Sequence, residues 1–237
     1  TPFEGLSIVP GIRMDPLILL GQPNMFAIDP RIAARYSPRA DLRFKGALGL
    51  FSGFPTPLEY LDAFGTPELT PEMGIQSSGG FEVDLPFDLT LDTLGYFNWY
   101  RDLVVFNTVG TPSAFDVATG GFDPNDLEDV PIYINGGQGA AYGLEVMLRR
   151  AYGEHLWGWV SYTLQRSVRR ETPEDDWRLY DFDRTHLLTL VGVKDLAKGW
   201  RLGGRFRYAS GALYTPAVGR SYNVDSGSYS PLYGEIN

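Results

Sequence analysis

Residues 200–211 read Trp-Arg-Leu-Gly-Gly-Arg-Phe-Arg-Tyr-Ala-Ser-Gly, and two kinds of side chain alternate along them. The even-numbered positions include Trp200, Leu202, Phe206 and Tyr208. The odd-numbered positions include the basic residues Arg201, Arg205 and Arg207. Because successive side chains of a strand point to opposite faces, this stretch predicts a strand with one apolar and one basic wall. The pattern recurs over stretches that are long enough to cross a bilayer. We therefore expect the apolar wall to contact lipid and the arginine wall to face a wet lumen.

Similar alternation elsewhere in the chain predicts nine strands. They cover residues 4–14, 28–37, 41–51, 75–85, 88–101, 137–151, 155–168, 184–195 and 199–212. In residues 42–50, for example, Phe44 and Leu48 share one parity, whereas Arg43 and Lys45 share the other. The expected fold class is all-β.

The links between the predicted strands alternate in length, which is a more specific signal than the strands themselves. The short links are residues 37–40, 86–87, 152–154 and 196–198; the long ones are 15–27, 52–74, 102–136, 169–183 and the stretch after Ala212. This rhythm is typical of an antiparallel up-and-down transmembrane barrel with short periplasmic turns and long extracellular loops. A soluble sandwich does not require its long loops to fall at one end.

Composition removes several other classes of protein. The net charge of −9 excludes nucleic acid as a partner, because phosphate contacts need a basic surface. The absence of cysteine excludes disulfides, thiolate metal sites and cysteine nucleophiles. No apolar run approaches the ~20 residues of a transmembrane helix, so a membrane role requires a barrel. Composition does not shift along the chain, and residues 1–237 are predicted to be one partial barrel domain.

Basic residues on the predicted wet wall are the main candidates for binding. They are Arg43, Lys45, Arg149, Arg201, Arg205 and Arg207. They attract an anionic solute, pair with a plug domain, or simply keep the lumen hydrated. In the last case, charges are paired across strands by Glu82, Asp84, Asp92 and Glu145.

Two further patterns suggest chemistry less strongly. Asp123, Asp126, Glu128 and Asp129 offer hard oxygen ligands for calcium, although solvated surface charge is the default interpretation. The glycine-rich residues 136–143 do not fit a phosphate-binding loop, because Tyr142 stands where the third glycine should be.

The only two histidines, His155 and His186, do not lie in a hydrolase or metalloprotease motif. We expect both to be solvated or hydrogen-bonded residues at the rim of the barrel. A barrel hydrolase would need a serine or aspartate beside His186. The prediction is a protein that is not an enzyme and that uses no cofactor.

Four segments resemble one family of membrane proteins. Residues 65–72 resemble its Gly-Asn-Pro-x-Leu-Lys-Pro-Glu element, with Thr66 and Thr70 as departures. Residues 135–149 are similar to its strand that re-enters the barrel, with Gly143 and Glu145 in place. Residues 180–190 and 205–216 resemble its Tyr-Asp-x-Asp-x-x-His-x-Leu-x-Leu and Arg-Tyr-x-Ser-Gly-x-Pro-Tyr-Thr-Pro elements, with Leu213 as a departure. In this order they resemble the C-terminal barrel of TonB-dependent outer-membrane receptors, especially the Oar-like group with a carboxypeptidase-regulatory-like N-terminal domain.

The resemblance implies a 22-stranded barrel in the outer membrane of a Gram-negative bacterium, closed by a plug domain and energised by a TonB-type inner-membrane complex. Nine strands then form a piece of that barrel, and the plug and the remaining strands are expected outside this chain. The expected partners are membrane lipid, the plug, the TonB-type energiser and other outer-membrane or surface proteins.

The predicted function is a receptor or transporter that moves or binds a bulky solute or a protein. Its outer loops, residues 52–74, 102–136 and 169–183, would contact the ligand or a partner. The alternative is a receptor-like barrel that acts as a structural or adhesive platform in a multi-protein outer-membrane assembly.

Overall fold

The computed structural model describes residues 4–19, 21, 23–61, 65–107, 131–151, 155–223 and 228–234. The strands are β1 (Leu6–Leu17), β2 (Met25–Arg39), β3 (Leu42–Gly53), β4 (Glu72–Leu85), β5 (Leu89–Phe106), β6 (Tyr133–Arg150), β7 (Leu156–Arg170), β8 (Arg178–Leu179), β9 (His186–Asp195), β10 (Arg201–Ala209), β11 (Ala217–Asn223) and β12 (Ser228–Tyr233). One helical turn, α1 (Pro57–Tyr60), and a 3-10 turn at Ala197–Gly199 accompany them. In the described part of the chain, no helix has the length and apolarity needed to cross a membrane.

The main sheet is an antiparallel meander in which nearly every strand pairs with its neighbours in sequence. Its order is β1-β2-β3-β4-β5-β6-β7-β9-β10, with the short β8 paired to β7. The hairpin of β11 and β12 forms a separate sheet. The nine predicted strands and the all-β up-and-down architecture are therefore confirmed.

The register keeps the two predicted walls separate across the sheet. Arg43 lies opposite Glu82, Glu82 opposite Asp92, and Asp92 opposite Met147. Directly opposite residues point to the same face, and so each row continues one face from strand to strand. We name the face of Arg43 and Glu82 the polar face, and the face of their neighbours Phe44 and Phe81 the apolar face.

The apolar face is exposed to an unusual extent. Its large side chains remain about half exposed, with values of 59% for Ile12, 53% for Leu48 and 55% for Phe206. Contiguous exposed apolar surface of this kind is unfavourable in water and marks contact with lipid or protein. Strands of 9 to 18 residues in the meander match the ~9–11 residues that a tilted strand needs to span a bilayer.

The connections alternate in length as predicted, with corrected bounds. The short ones are residues 40–41, 86–88, 151–155 and 196–200, and the long ones are 18–24, 54–71, 107–132 and 171–185. All short connections fall at one end of the meander and all long ones at the other. In the turn at residues 86–88 the backbone enters the left-handed region, with φ of 67° at Phe87 and 59° at Asp88.

Two predictions about the ends of strands were wrong. Strands continue beyond the predicted bounds at the long-loop end: β5 extends to Phe106, and β6 already begins at Tyr133. The stretch after Ala212, expected to be a long link, carries the hairpin of β11 and β12. Its strands are short and have little apolar alternation, but the rings of Tyr222 and Tyr229 pack across them at 4.9 Å between centroids.

Buried side chains collect at the long-loop end rather than in the middle of the sheet. Among the described residues they are Met25, Ala27, Asp29, Tyr60, Thr66, Leu69, Val104, Val105, Asn107, Ala140 and Asp183. The segments between strands fold over the strand ends there and exclude water. The middle of the sheet, in contrast, offers both of its faces to other molecules.

Candidate functional site

The polar face carries a network of ions near the short turns, which we name the charged band. Its members are Arg35, Arg43, Lys45, Glu82, Asp84, Asp92 and Arg149. They come from five adjacent strands, β2 to β6, because the register brings these positions into neighbouring rows.

Arg43 lies at the centre of the charged band. Its guanidinium group donates to Glu82 at 2.6 Å and to Asp84 at 2.7 Å, and its side chain is only 18% exposed. Lys45 Nζ lies 2.5 Å from Asp92 Oδ1. Charge-assisted bonds of this kind are directional and fix the orientation of their side chains. The band therefore forms a surface of ordered charges of both signs.

The six predicted lumen residues all lie on the polar face, but their surroundings differ. Arg43 and Lys45 form close ion pairs, whereas Arg149 is 3.9 Å from Glu82. Arg201 pairs with Asp195 at 2.6 Å. Arg205 and Arg207 lie opposite Val191 and Thr189, and within the described residues they form no ion pair. Glu145, the fourth predicted counter-ion, likewise has no ion pair among them.

Above the charged band, towards the long loops, the polar face carries small side chains and fewer charges. A groove of about 590 Å³ follows it, and its floor includes Ala33, Ala47 and Ser78. Arg31, Gln76, Asn98 and Glu145 lie along its walls. These polar groups offer hydrogen bonds to whatever fills the space beside the wall.

Gly143 has a definite packing role in the re-entry strand. The side chain of Tyr96 crosses it and donates from its hydroxyl to Gln165 Oε1 at 3.0 Å. A Cβ atom at Gly143 would lie 2.9 Å from that hydroxyl and 2.6 Å from the carbonyl oxygen of Leu164. The glycine is therefore needed for the close approach of Tyr96.

The segments that resemble family elements meet each other at the long-loop end. Thr66 Oγ1 accepts from the Tyr133 amide at 3.0 Å, and Asn135 both accepts from the Thr70 amide and donates to the Thr70 carbonyl. Asn135 also donates to the carbonyl of Asp102, a residue held at a φ of 57° where β5 bulges. These side chains attach the segment after α1 to the extensions of β5 and β6.

A second group of hydrogen bonds connects the other two family-like elements, residues 180–190 and 205–216. Asp183 is 4% exposed and accepts from the Ser167 amide at 2.6 Å. His186 accepts or donates through Nδ1 to the Tyr162 hydroxyl at 2.8 Å, and its amide donates to Ser210 Oγ at 3.2 Å. Ser210 thus receives a backbone hydrogen bond. In this structure, the four elements therefore supply hydrogen bonds that hold the strand ends together.

Loop 171–185 is ordered by its own charges. Arg178 donates to Glu171 at 2.6 Å and to Asp181 at 2.9 Å. The hydrogen bond that Arg178 donates to the Glu171 carboxylate is the main reason that the pKa of Arg178 is raised above its ordinary value.

The remaining sequence-based candidates are the four acidic residues considered for calcium and the two histidines. The four calcium candidates, Asp123, Asp126, Glu128 and Asp129, lie outside the described residues. In the part of the chain that is described, no three side chains of His, Asp or Glu gather as a metal-binding group. His155 lies in the turn before β7, far along the strand from His186, with a φ of 83°.

Some of the important polar residues were missed by sequence reasoning. Asp29 is 2% exposed and accepts from Arg13, from the Ser52 hydroxyl and from the Ser52 amide. Glu72 similarly accepts from the Val104 amide at 2.8 Å. A carboxylate at the end of an alternating strand was the available signal, but it does not show which distant amide it caps.

A continuous antiparallel wall with one exposed apolar face and one charged face defines the class of transmembrane β-barrels. A family model of the TonB-dependent receptor-like β-barrel matches residues 2–233. The chain belongs to this family, whose members are receptors and transporters of the Gram-negative outer membrane.

Solved structures support the fold. The ferripyoverdine receptor of the outer membrane of Pseudomonas aeruginosa is similar with a TM-score of 0.66 and 12% identity, covering 98% of this chain and 29% of that one. The ferric-catecholate import receptor Fiu of E. coli K12 is similar with a TM-score of 0.64 and 13% identity, covering 92% of this chain and 34% of that one. The FrpB iron transporter of Neisseria meningitidis is similar with a TM-score of 0.62 and 13% identity, covering 86% of this chain and 31% of that one.

The chain spans about a third or less of the length of these receptors. At such identities the likeness concerns the fold alone. No curated protein matches the chain.

Proposed function

We propose that this chain is part of the wall of a plugged outer-membrane receptor that takes up a bulky solute or a protein, energised through a TonB-type complex. The observation that carries the proposal is the charged band on the polar face, opposite a face suited to lipid. Ordered charges of both signs suit contact with a folded domain inside the barrel.

Residues 1–237 are then one partial barrel domain, and the plug and further strands belong to the rest of the protein. The six basic residues Arg43, Lys45, Arg149, Arg201, Arg205 and Arg207 face the lumen in this proposal. The groove beside Arg31 and Gln76 is the part of the wall that a solute passes on its way along the plug.

The neighbours suggest which solutes to try first. Receptors described as binding ferripyoverdine or importing ferric catecholates share this fold. We infer that iron chelates are reasonable first candidates. The order of the four elements supports the Oar-like subgroup, and a carboxypeptidase-regulatory-like domain in the full-length protein would support it further. The role we propose is not enzymatic.

Ion conductance of the full-length receptor in a planar bilayer tests the plugged state. In potassium chloride, wild-type protein should give no wide steady channel, because the plug fills the lumen. Arg43→Glu puts a third carboxylate beside Glu82 and Asp84, and it should produce openings by loosening the plug. Arg101→Glu makes the same change of charge on the apolar face and should stay closed. A wide steady channel in wild type would identify a porin-like pore instead.

A platform for surface proteins is the second candidate, and the long-loop end favours it specifically. Phe182 and Tyr214 are 78% and 75% exposed there. Glu174 and Asp176 are also exposed in loop 171–185. Exposed aromatic side chains beside carboxylates suit a protein interface. Purification of the full-length protein from outer membranes separates the two functions, since a platform brings stoichiometric partners and a transporter comes alone.

A further inference from the structure

The apolar face has an unexpected charge pattern. Among the directly paired positions of the meander, it carries no aspartate or glutamate. Its charged residues are all basic: Arg101, Arg166 and Arg170 towards the long loops, and Arg39, Arg150 and Lys194 towards the short turns. Yet the whole chain has a net charge of −9. Cations are thus placed selectively at the two edges of the lipid-facing surface.

One of these cations stands at the end of a groove. The groove has a volume of about 720 Å³ and opens on the apolar face between β5, β6, β7 and the start of β9. It is lined by Phe97, Tyr142, Leu144, Leu164, Arg166 and Thr185. Phe97 and Tyr142 are stacked with their ring centroids 6.3 Å apart, so they form one flat apolar wall.

Arg166 is available to a ligand. It is exposed, and it forms no ion pair within the described residues. Its one described hydrogen bond is a long one, 3.5 Å to Thr185 Oγ1. The guanidinium lies in the same row of the sheet as Phe97 and Tyr142, at the upper edge of the apolar surface.

An aromatic rim beside the groove marks the level of the membrane interface. Trp99 and Trp177 pack with ring centroids 5.6 Å apart, and Arg170 lies 4.8 Å above the Trp177 ring. Tryptophan is enriched where hydrocarbon meets headgroups. Arg166 lies one row below Trp99 in the register, which places its guanidinium within reach of lipid headgroups.

We propose that this groove binds one anionic membrane lipid in the leaflet next to the long loops. An acyl chain lies along Tyr142, Leu144 and Leu164, and the phosphate group accepts hydrogen bonds from Arg166. Planar guanidinium groups match the geometry of phosphate, and an apolar trough suits a chain of methylene groups. No carboxylate stands at the directly paired positions of this face in the described strands, so none of these positions supplies a counter-ion to the arginine.

Lipid retention by the full-length receptor tests the site. Purified protein in detergent is titrated with phosphatidylglycerol or with phosphatidylcholine of the same acyl chains, and bound lipid is counted by native mass spectrometry. Wild type should prefer phosphatidylglycerol. Arg166→Gln should reduce this preference about fivefold, the value expected for losing one cation at a lipid surface. Arg166→Lys should restore part of it.

Two further variants separate the alternatives, and heat-modifiable migration in gels confirms that each is folded. Tyr142→Ala should weaken binding of both lipids alike, because the acyl chain loses its wall. A site for free phosphate alone would be insensitive to that change. Arg205→Gln removes the same charge from the polar face and should leave the preference unchanged. An unchanged preference in Arg166→Gln, or an equal loss in Arg205→Gln, would overturn the proposal.

Discussion

At the scale of single residues, the long-loop end depends on buried polar groups that each satisfy a particular backbone amide. Asp183 caps the Ser167 amide, and Asn135 holds both polar groups of the Thr70 backbone. A buried amide that loses its partner costs free energy because water cannot reach it. These few residues therefore determine where strand pairing ends and where the outer segments begin.

Replacement of Asp183 tests this role. Asp183→Ala leaves the Ser167 amide without its acceptor and should lower the free energy of unfolding by about 1–3 kcal/mol. Hydrogen exchange of the Ser167 amide should become faster. Asp183→Asn keeps an acceptor oxygen and serves as the matched control, with a smaller loss. Equal exchange rates in wild type and Asp183→Ala would show that the bond does not protect this end of β7.

At the scale of elements, β10 shows how one strand presents side chains suited to lipid on one face and side chains suited to water on the other. Leu202, Phe206 and Tyr208 lie on the apolar face, and Arg201, Arg205 and Arg207 lie on the polar face. The strand alone would show this alternation in a soluble sandwich as well. Its pairing with β9 inside a wall of long strands is what makes its apolar side a membrane surface.

The two faces of β10 predict opposite sensitivities. Phe206→Arg places a charge against hydrocarbon, and assembly should fail or become less favourable by roughly 2–4 kcal/mol if the site is near the midplane. Arg205→Gln keeps a polar side chain on the wet face and should be tolerated. The measurement is the amount of folded protein in outer membranes. If the Phe206→Arg protein assembled normally and the Arg205→Gln protein did not, the apolar and polar faces would be exchanged.

The sequence predicted the strands of the meander well, but it did not predict the side-chain hydrogen bonds that hold the strand ends at the long-loop end. Alternation placed all nine strands, because side-chain direction along a strand is a local property of the backbone. The true ends of β5 and β6 depend on contacts such as that of Glu72 with the Val104 amide, which are distant in sequence. The six basic candidates share the polar face of the sheet, and the ion pairs of Arg43 could not be derived without the register.

At the scale of the whole molecule, the meander has neither a thick core nor a dry interior of its own. Most buried side chains lie at the long-loop end, and the central rows are exposed on both faces. Such a sheet is stable only where lipid covers one face and further protein or water covers the other. The arrangement of faces is therefore the property on which the proposed receptor role depends.

Neighbouring positions in β3 allow this arrangement to be measured. Leu48 lies on the apolar face and Ala47 on the polar face, and the chain contains no cysteine. A fluorophore on Leu48→Cys should be quenched by brominated lipid, whereas one on Ala47→Cys should not. If lipid quenched only the label at position 47, the polar face would be the membrane surface and the proposed lumen would be wrong.

By itself, the sequence determined the alternation of faces, the nine-stranded rhythm and the family resemblance, because each follows from residues that are close together along the chain. Only the tertiary structure decided which rows meet. A slip of one residue in register would exchange the faces, so pairs such as Arg43 with Glu82 exist only when the whole meander is aligned. The groove below Arg166 is likewise a product of several strands packed side by side, and no single segment specifies it.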